Sequence, residues 1–299
     1  MPFDHLLLIG FGGPTRAEEV RPFLEEVARG RGIPPERLMQ VEHQYEQIGG
    51  FSPYNKLSGR LAHAVRERLG ESGRPIPIYL GMRQWVPFLS EIVQKVGEDG
   101  LRRGLAFSLA PHRSPASTER YAAALEEALQ ALGEAAPTYE FPAPWFDHPL
   151  FIEAQAARVR EVWPARQAGD RLVFTAHSIP VEIARGCGYE QEFHTSCRLT
   201  AERLGVPEWE AVYQSRSGPP NQPWLGPDGL SRAADWKREG ARRIVAVPIG
   251  FLFDHTEVLY DLDLLLKNTV VREGLQFLRA PTVMDHPKFV ELIAQGVLS

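Results

Sequence analysis

Leu6-Leu7-Leu8-Ile9-Gly10-Phe11-Gly12-Gly13-Pro14-Thr15-Arg16-Ala17-Glu18 decides the fold. An unbroken apolar run of strand length ends in a glycine-rich turn, and Thr15 with Glu18 spells a capping box opening a helix towards Arg29. A continuous apolar strand leading straight into a helix is the start of a parallel α/β sheet. The pattern recurs. Ile76–Met82 precedes a helix through Phe88-Leu89, Ile92-Val93 and Val96, closed by Gly97 and Gly100. Leu105–Ala110 precedes a helix near Ser117–Leu132, and Thr138–Phe141 reads as a fourth strand. Further strands are predicted at Leu172–Ala176, Ala211–Ser215, Ile244–Ile249 and Gln276–Leu278, with helices between them and a last one over Pro287–Val297.

Three echoes mark the halves as duplicates. Ile9-Gly10-Phe11-Gly12-Gly13-Pro14 parallels Thr175-Ala176-His177-Ser178-Ile179-Pro180, and Gly81-Met82-Arg83 resembles Gln214-Ser215-Arg216. Asp99-Gly100-Leu101-Arg102-Arg103 matches Glu239-Gly240-Ala241-Arg242-Arg243. Phe141-Pro142-Ala143-Pro144 is the predicted boundary, giving an N-terminal α/β half over 1–144 and a C-terminal half over 145–299, with the last helix packing back on the first half. Ligands of open α/β sheets bind beyond the carboxyl ends of the strands. The strand ends of both halves are therefore expected to face one cleft, with Phe11, Arg83 and His112 from one half and His177, Arg216 and Asp254-His255-Thr256-Glu257 from the other.

Composition narrows the function. The 299 residues carry a net charge of −5 with Lys and Arg scattered, which argues against a nucleic-acid partner. Only Cys187 and Cys197 occur, too few for a disulfide scaffold or a four-thiolate cluster, and they read as free thiols of a cytoplasmic protein. The N-terminal apolar run reads as a buried strand and not a signal peptide, and no stretch approaches a membrane span, leaving at most contact with a membrane surface.

His177 stands one residue past a strand, where it reads either as a core histidine or as a cleft residue; His177 and His255 with Asp254 and Glu257 supply the imidazoles and carboxylates that divalent metals and protons accept. A plainer account makes Asp254 or Thr256 a helix cap and Glu257 a first-turn acid, leaving the histidine between them unexplained. Gly12-Gly13-Pro14 lacks the phosphate-loop pattern, so its glycines are expected to let a bulky ligand approach the backbone. The aromatic, glycine-rich stretch Gln44–Tyr54 shows little periodicity. With Pro223-Trp224-Leu225-Gly226-Pro227 it suits either anchored loops or the stacking surfaces of a flat macrocycle.

Six segments together resemble the ferrochelatases. They are Gly12-Gly13-Pro14, Ile48–Pro53, Gly81-Met82-Arg83, Thr175–Pro180, Gln214-Ser215 with Pro223–Pro227, and Asp254–Tyr260, in the family's order along nearly the whole chain. The resemblance implies two similar Rossmann-like halves, each with a mainly parallel four-stranded sheet flanked by helices. It implies insertion of Fe²⁺ into a porphyrin late in heme synthesis, with iron as substrate, no organic cofactor, and other heme-synthesis enzymes as potential partners. It assigns catalysis and metal contact to His177 and Glu257, and leaves open whether His177 takes pyrrole protons, delivers iron or does both; a neutral imidazole made more basic by a neighbouring carboxylate suits His177 to accept the protons, with Glu257 relaying iron or protons. It implies porphyrin contacts at Phe11, Arg29, Ser52, Arg83, Tyr121 and Trp224, with support from Asp254, His255 and Asp261.

The chain also departs from the family. Phe11 stands where relatives have tyrosine or methionine and offers iron no ligand oxygen. An acidic ridge at i, i+4 and i+8 stops after Glu257 and Asp261, because the third place is Leu265. The cysteine-bearing C-terminal extension of some relatives does not occur, so no iron–sulfur cluster is expected. Ala28 and Gln44 stand where coproporphyrin-using relatives have arginine; this favours protoporphyrin IX over coproporphyrin III, although Arg29, Arg31 and Arg83 remain to bind extra propionates. The rival readings are a cobalt or nickel chelatase acting on sirohydrochlorin-type macrocycles, and a non-catalytic two-lobed tetrapyrrole-binding protein.

Overall fold

The first apolar run folds as β1 (His5–Gly10), buried at every residue. A computed structural model describes residues 3–30, 32–218 and 221–299, so Arg31 lies outside the described residues. The chain forms two units. One runs to Ala110 and adds Ala116–Ala143 and Met284–Ser299; the other holds Pro111–Pro115 and Pro144–Val283.

In the first unit β1 lies between β2 (Ile78–Met82) and β3 (Arg103–Ser108), with β4 (Thr138–Glu140) beyond β3; the order is β2-β1-β3-β4 and every pairing is parallel. Helices α1 (Val20–Ala28), α2 (Pro35–Gln47) and α3 (Tyr54–Glu71) connect β1 to β2, α4 (Leu89–Glu98) leads to β3 and α5 (Thr118–Leu132) to β4. The second unit begins with α6 (Pro149–Val162) and β5 (Asp170–His177), followed by α7 (Val181–Cys187), α8 (Tyr189–Leu204) and β6 (Trp209–Gln214). Then come α9 (Gly229–Arg238), β7 (Arg243–Val247), α10 (Thr256–Leu259), a π-helical turn over Asp261–Leu266, α11 (Lys267–Arg272) and β8 (Gln276–Arg279). Its sheet order, β6-β5-β7-β8, is again all parallel. The final helix α12 (Pro287–Leu298) belongs to the first unit, where Phe289 meets Phe107 edge-on and Glu291 pairs with Arg68 of α3.

Two local expectations change. Thr15 is answered by Glu19, not Glu18: its backbone N–H and its hydroxyl donate to Glu19 Oε2 at 2.8 and 3.0 Å. Glu19 also accepts from Trp85 Nε1, and this tertiary partner goes with a short 3-10 turn over Ala17–Glu19 ahead of α1. Gln44–Gln47 complete α2, despite the weak periodicity of that stretch. The helix stops where Gly49 and Gly50 take φ of +102° and +81°, and Gly50 N–H donates back to Tyr45 O.

Strand register tests the duplication residue by residue. Met82 N–H is returned to by Pro87 O, and Tyr213 N–H by Pro227 O, each in a loop with a cis X–Pro bond. Gly10 lies opposite Met82 and Ala176 opposite Tyr213, so Phe11 and His177 occupy equivalent places. Arg103 and Arg243 correspond too, each following a helix-ending glycine with φ of +74° (Gly100) or +85° (Gly240). The expected match of Gly81-Met82-Arg83 to Gln214-Ser215-Arg216 is out of step by two residues. The true counterpart of Arg83 is Gln214.

Candidate active site

Three segments of the second unit bring the site together. His177 is the last residue of β5, opposite Gln214 of β6, and Tyr189 of α8 donates its hydroxyl to the His177 carbonyl at 2.9 Å. The chain leaving β7 crosses the end of β5, where Gly250 N–H donates to Thr175 O at 3.1 Å. A Cβ on Gly250 would lie 2.6 Å from that of Ala176, so only glycine allows this approach. Phe251, Leu252 and Phe253 then bury themselves and α10 starts at Thr256. Its cap is His255, whose Nδ1 accepts the Glu257 N–H at 3.2 Å. Neither Asp254 nor Thr256 takes the capping role, and the unexplained histidine between the acids has its explanation.

Glu257 Oε1 stands 3.2 Å from His177 Nε2. His177 Nδ1–H donates to the Ser178 carbonyl, so Nε2 is the nitrogen facing the carboxylate. Two lone pairs would repel at this distance, so a proton lies between them. The two groups titrate accordingly. Burial works against the His177 charge, but the Glu257 carboxylate, its hydrogen bond and the Ser178 carbonyl outweigh it and raise the pKa to about 9. Burial likewise opposes the Glu257 charge, yet His177 and then His255 pull it down to about 2. Near neutral pH the pair is imidazolium and carboxylate. The neutral imidazole expected from the sequence is therefore not the resting form.

Asp261 is the third ionisable group. Burial, joined by the Glu257 charge, lifts it to about 6 against the hydrogen bond it accepts from Ser215 Oγ. Ser215 holds the left-handed conformation, φ +61°, that favours glycine. Gln214 ties the same end of β6 to α10 by donating from Nε2 to the Glu257 carbonyl. The ridge expected from Glu257 through Asp261 to Leu265 does not run straight, because Leu265 N–H reaches five residues back to Tyr260 O within the π turn. Asp254 faces Arg279 and Thr282. Burial lowers the His255 pKa, against Glu257 and Asp254. Among the described residues no three His, Cys, Asp or Glu side chains form a metal-holding group. The pair itself offers one nitrogen and one carboxylate as donors.

The remaining predicted residues divide by unit. In the first, Phe11 meets Phe23 edge-on, and the Arg83 guanidinium lies 5.4 Å from the Phe11 ring centre. Ser52 is buried, and Gly12 and Gly13 press on this unit's own atoms: a Cβ on Gly13 would come within 2.9 Å of Ser52 Cβ, and one on Gly12 within 3.0 Å of Met82 Cβ. The glycines serve internal packing, where a close ligand approach was expected. Arg29 is exposed and pairs with Glu26 one turn earlier. Tyr121 is a core residue, packed with Leu7, Ile9 and Val93. In the second unit Trp224 lies against Gly218, whose added Cβ would meet the indole at 2.4 Å. His112 is buried there too, contacting Ser196 Oγ through Nε2, and burial lowers its pKa to about 3. It reads as a neutral packing histidine.

Sequence reasoning missed the carbonyl of Ser178, Tyr189, and the roles of Ser215, Gln214 and Arg279. The Gln214-Ser215 pair was noticed only as part of a motif; the others carry no local signal, since their roles depend on distant partners.

The fold and site define a two-unit α/β protein with an imidazole–carboxylate pair at the strand ends of one unit. The SirB protein from Bacillus subtilis, solved with Fe³⁺, superposes with a TM-score of 0.58 over 98% of this chain and 94% of its own, at 11% identity, which speaks to fold alone. The ferrochelatase family model matches residues 4–299. A ferrochelatase of Rhodopirellula baltica is 39% identical over 98% of this chain and 84% of its own length. A coproporphyrin III ferrochelatase of Mycolicibacterium smegmatis is 40% identical over 98% and 88%. The chain belongs to the ferrochelatase family, and is an enzyme that inserts iron into a porphyrin. The sirohydrochlorin-chelatase and carrier readings are not favoured.

Proposed function

We propose that the chain inserts ferrous iron into coproporphyrin III, with His177 and Glu257 managing the leaving pyrrole protons and the arriving iron. The observation that carries the catalytic reading is the 3.2 Å contact between His177 Nε2 and Glu257 Oε1 with one proton between them. Insertion removes two pyrrole protons, so a base must be free when the metal enters. Iron arriving at Glu257 weakens that carboxylate's hold on the shared proton, and the proton leaves towards Asp261, a stronger base than an ordinary carboxylate. Neutral His177 Nε2 then accepts a pyrrole proton. Asp261 gives its proton to solvent, His177 passes the pyrrole proton out along the same path, and Nε2, neutral again, accepts the second. Iron is a substrate throughout, and the reaction calls for no organic cofactor and no iron–sulfur cluster. The porphyrin contacts stay with Phe11, Arg29, Ser52, Arg83 and Trp224; Tyr121 acts through the packing beneath them.

The porphyrin assignment rests on relatives. Those named coproporphyrin III ferrochelatases match at 37–40% identity over nearly the whole chain, which outweighs the missing arginines at Ala28 and Gln44 that favoured protoporphyrin IX. Arg29, its side chain 77% exposed, and Arg83 supply cations for additional propionates. In this reading the enzyme is cytoplasmic and meets a membrane at most at its surface; no helix among the described residues is long and apolar enough to cross one. Steady-state insertion with each porphyrin tests the assignment. Coproporphyrin III should show a kcat/KM at least about tenfold higher, a difference of roughly 1.4 kcal/mol, and parity or a protoporphyrin preference would refute it.

A further inference from the structure

We infer that Arg279 is a positioning residue for iron insertion, holding the segment of α10 and the π turn that bears Glu257 and Asp261 by gripping a carboxylate on either side of these two acids along the chain. The inference rests on the reading that Glu257 and Asp261 handle iron and protons. Arg279 ends β8 and is fixed in register opposite Ala246 of β7. Its guanidinium reaches Asp263 through Nε at 2.6 Å and Nη2 at 3.0 Å. It reaches Asp254 through Nη1 at 3.2 Å and Nη2 at 3.1 Å, and Nη1 also donates to the Ala280 carbonyl. Thr282 adds a hydroxyl to Asp254 at 2.9 Å. Arg279 and Asp254 are largely buried, 14% and 18% exposed, while Asp263 is partly open.

Asp254 precedes the cap of α10 and Asp263 lies within the π turn, so the two acids bracket Glu257 and Asp261 along the chain. A π turn is less well bonded than an α-helix and relaxes unless something else holds it. Relaxation to α geometry would change the angular offset between the residues on its two sides. The guanidinium supplies the restraint, referring the residue before the α10 cap and the π turn itself to the edge of the sheet that also carries His177. It contacts neither member of the reacting pair. Its planar fork gives each carboxylate two directed contacts, four in all, which the three donors of an ammonium cannot match.

The test uses purified full-length enzyme and separates kcat from KM. Arg279→Gln should lower kcat about thirtyfold while the porphyrin KM stays within about twofold, in keeping with the large rate cost of small displacements of reacting groups. Arg279→Lys should recover no more than about threefold of that loss. Asp263→Asn should lower kcat on its own, and Arg279→Gln with Asp263→Asn should be no worse than Arg279→Gln alone, since both break one linkage. If Arg279→Gln fails to fold, Asp254→Asn and Asp263→Asn, which keep the guanidinium, decide by the same criterion. A kcat within twofold of wild type in Arg279→Lys, or in both aspartate variants, overturns the clamp. Glu257→Gln run alongside separates the two ideas. Wild-type kcat in that variant sinks the assignment of Glu257 and the inference with it, whereas an inactive Glu257→Gln beside a fully active Arg279→Lys sinks the clamp alone.

Discussion

The two units share sheet order, strand direction and register, yet differ where their first strands end. Phe11 follows β1 and packs beside Phe23 and Arg83; His177 ends β5 and shares a proton with Glu257. The strand beside each also differs, Arg83 in one unit answering to Gln214 in the other. Past the third strand, Leu109 N–H bonds Ile9 O in the first unit, while in the second it is Gly250 N–H that bonds Thr175 O, one residue later relative to the paired strand. That extra residue and the glycine let the second unit carry an acid across its strand ends. One scaffold therefore holds a packing aromatic in one copy and a proton-sharing pair in the other, and the loop after the third strand makes the difference.

The comparison can be broken most severely at His177. His177→Ala should reduce insertion by about a thousandfold or more, the scale for losing a general base and metal contact together, with porphyrin binding retained by fluorescence titration. Adding Phe11→His to that variant should restore nothing, because the charged group beside Phe11 is the Arg83 cation, which disfavours an imidazolium there; recovered turnover would mean the two strand ends are interchangeable. Next is Glu257→Gln, expected to cost about a hundredfold in kcat. It should also move the His177 imidazole titration, followed by NMR, downward from about 9. The sign follows from the raised value. The imidazolium is favoured by the fold below the ordinary histidine pKa of 6.5, and its stabilising contribution is lost as pH rises through about 9. Glu257, depressed to about 2, contributes stability above the ordinary 4.5 that is lost as pH falls towards 2. Asp261 must be ionised to take a proton, so kcat should rise with pH through about 6, and Asp261→Asn should flatten that limb.

Gly250→Ala is a smaller perturbation. The added methyl meets Ala176 and should cost about 1–3 kcal/mol in thermal or urea unfolding, with kcat falling as the loop lifts Glu257 away. Wild-type stability there would show that the close approach is unnecessary. Smallest is Arg29→Ala. Its ion pair with Glu26 is exposed, so stability should change by less than about 0.5 kcal/mol, and only the coproporphyrin KM should rise, by a few-fold.

Much of this was legible in the chain. Period and turn chemistry mark the eight strands among the described residues, most clearly where buried parallel strands leave unbroken apolar runs such as Leu6–Ile9 and Ile244–Val247. The resemblance brought out His177 and Glu257; the register places His177 at the end of β5, and Glu257 reaches it from α10. What escaped depends on tertiary partners. Thr15 chose Glu19 over Glu18 because Trp85 also binds Glu19. His255 became a cap, a use of histidine that residue preferences do not advertise. The protonation of His177 could not be read either, since it depends on which ring nitrogen the Ser178 carbonyl takes.

The π turn between Tyr260 and Leu266 has a consequence for insertions and deletions. It holds one more residue than an α-helical turn, so residues after it meet the core about 100° away from where a regular helix would set them. Losing Leu264 or Leu265 would give an ordinary helix that still buries apolar residues of this stretch, but with Glu257 and Asp261 swung by about 100°. Length variation at this turn is thus invisible to the fold and decisive for the acids, so a chain that kept its sheet and every acid could still be silenced by one missing codon.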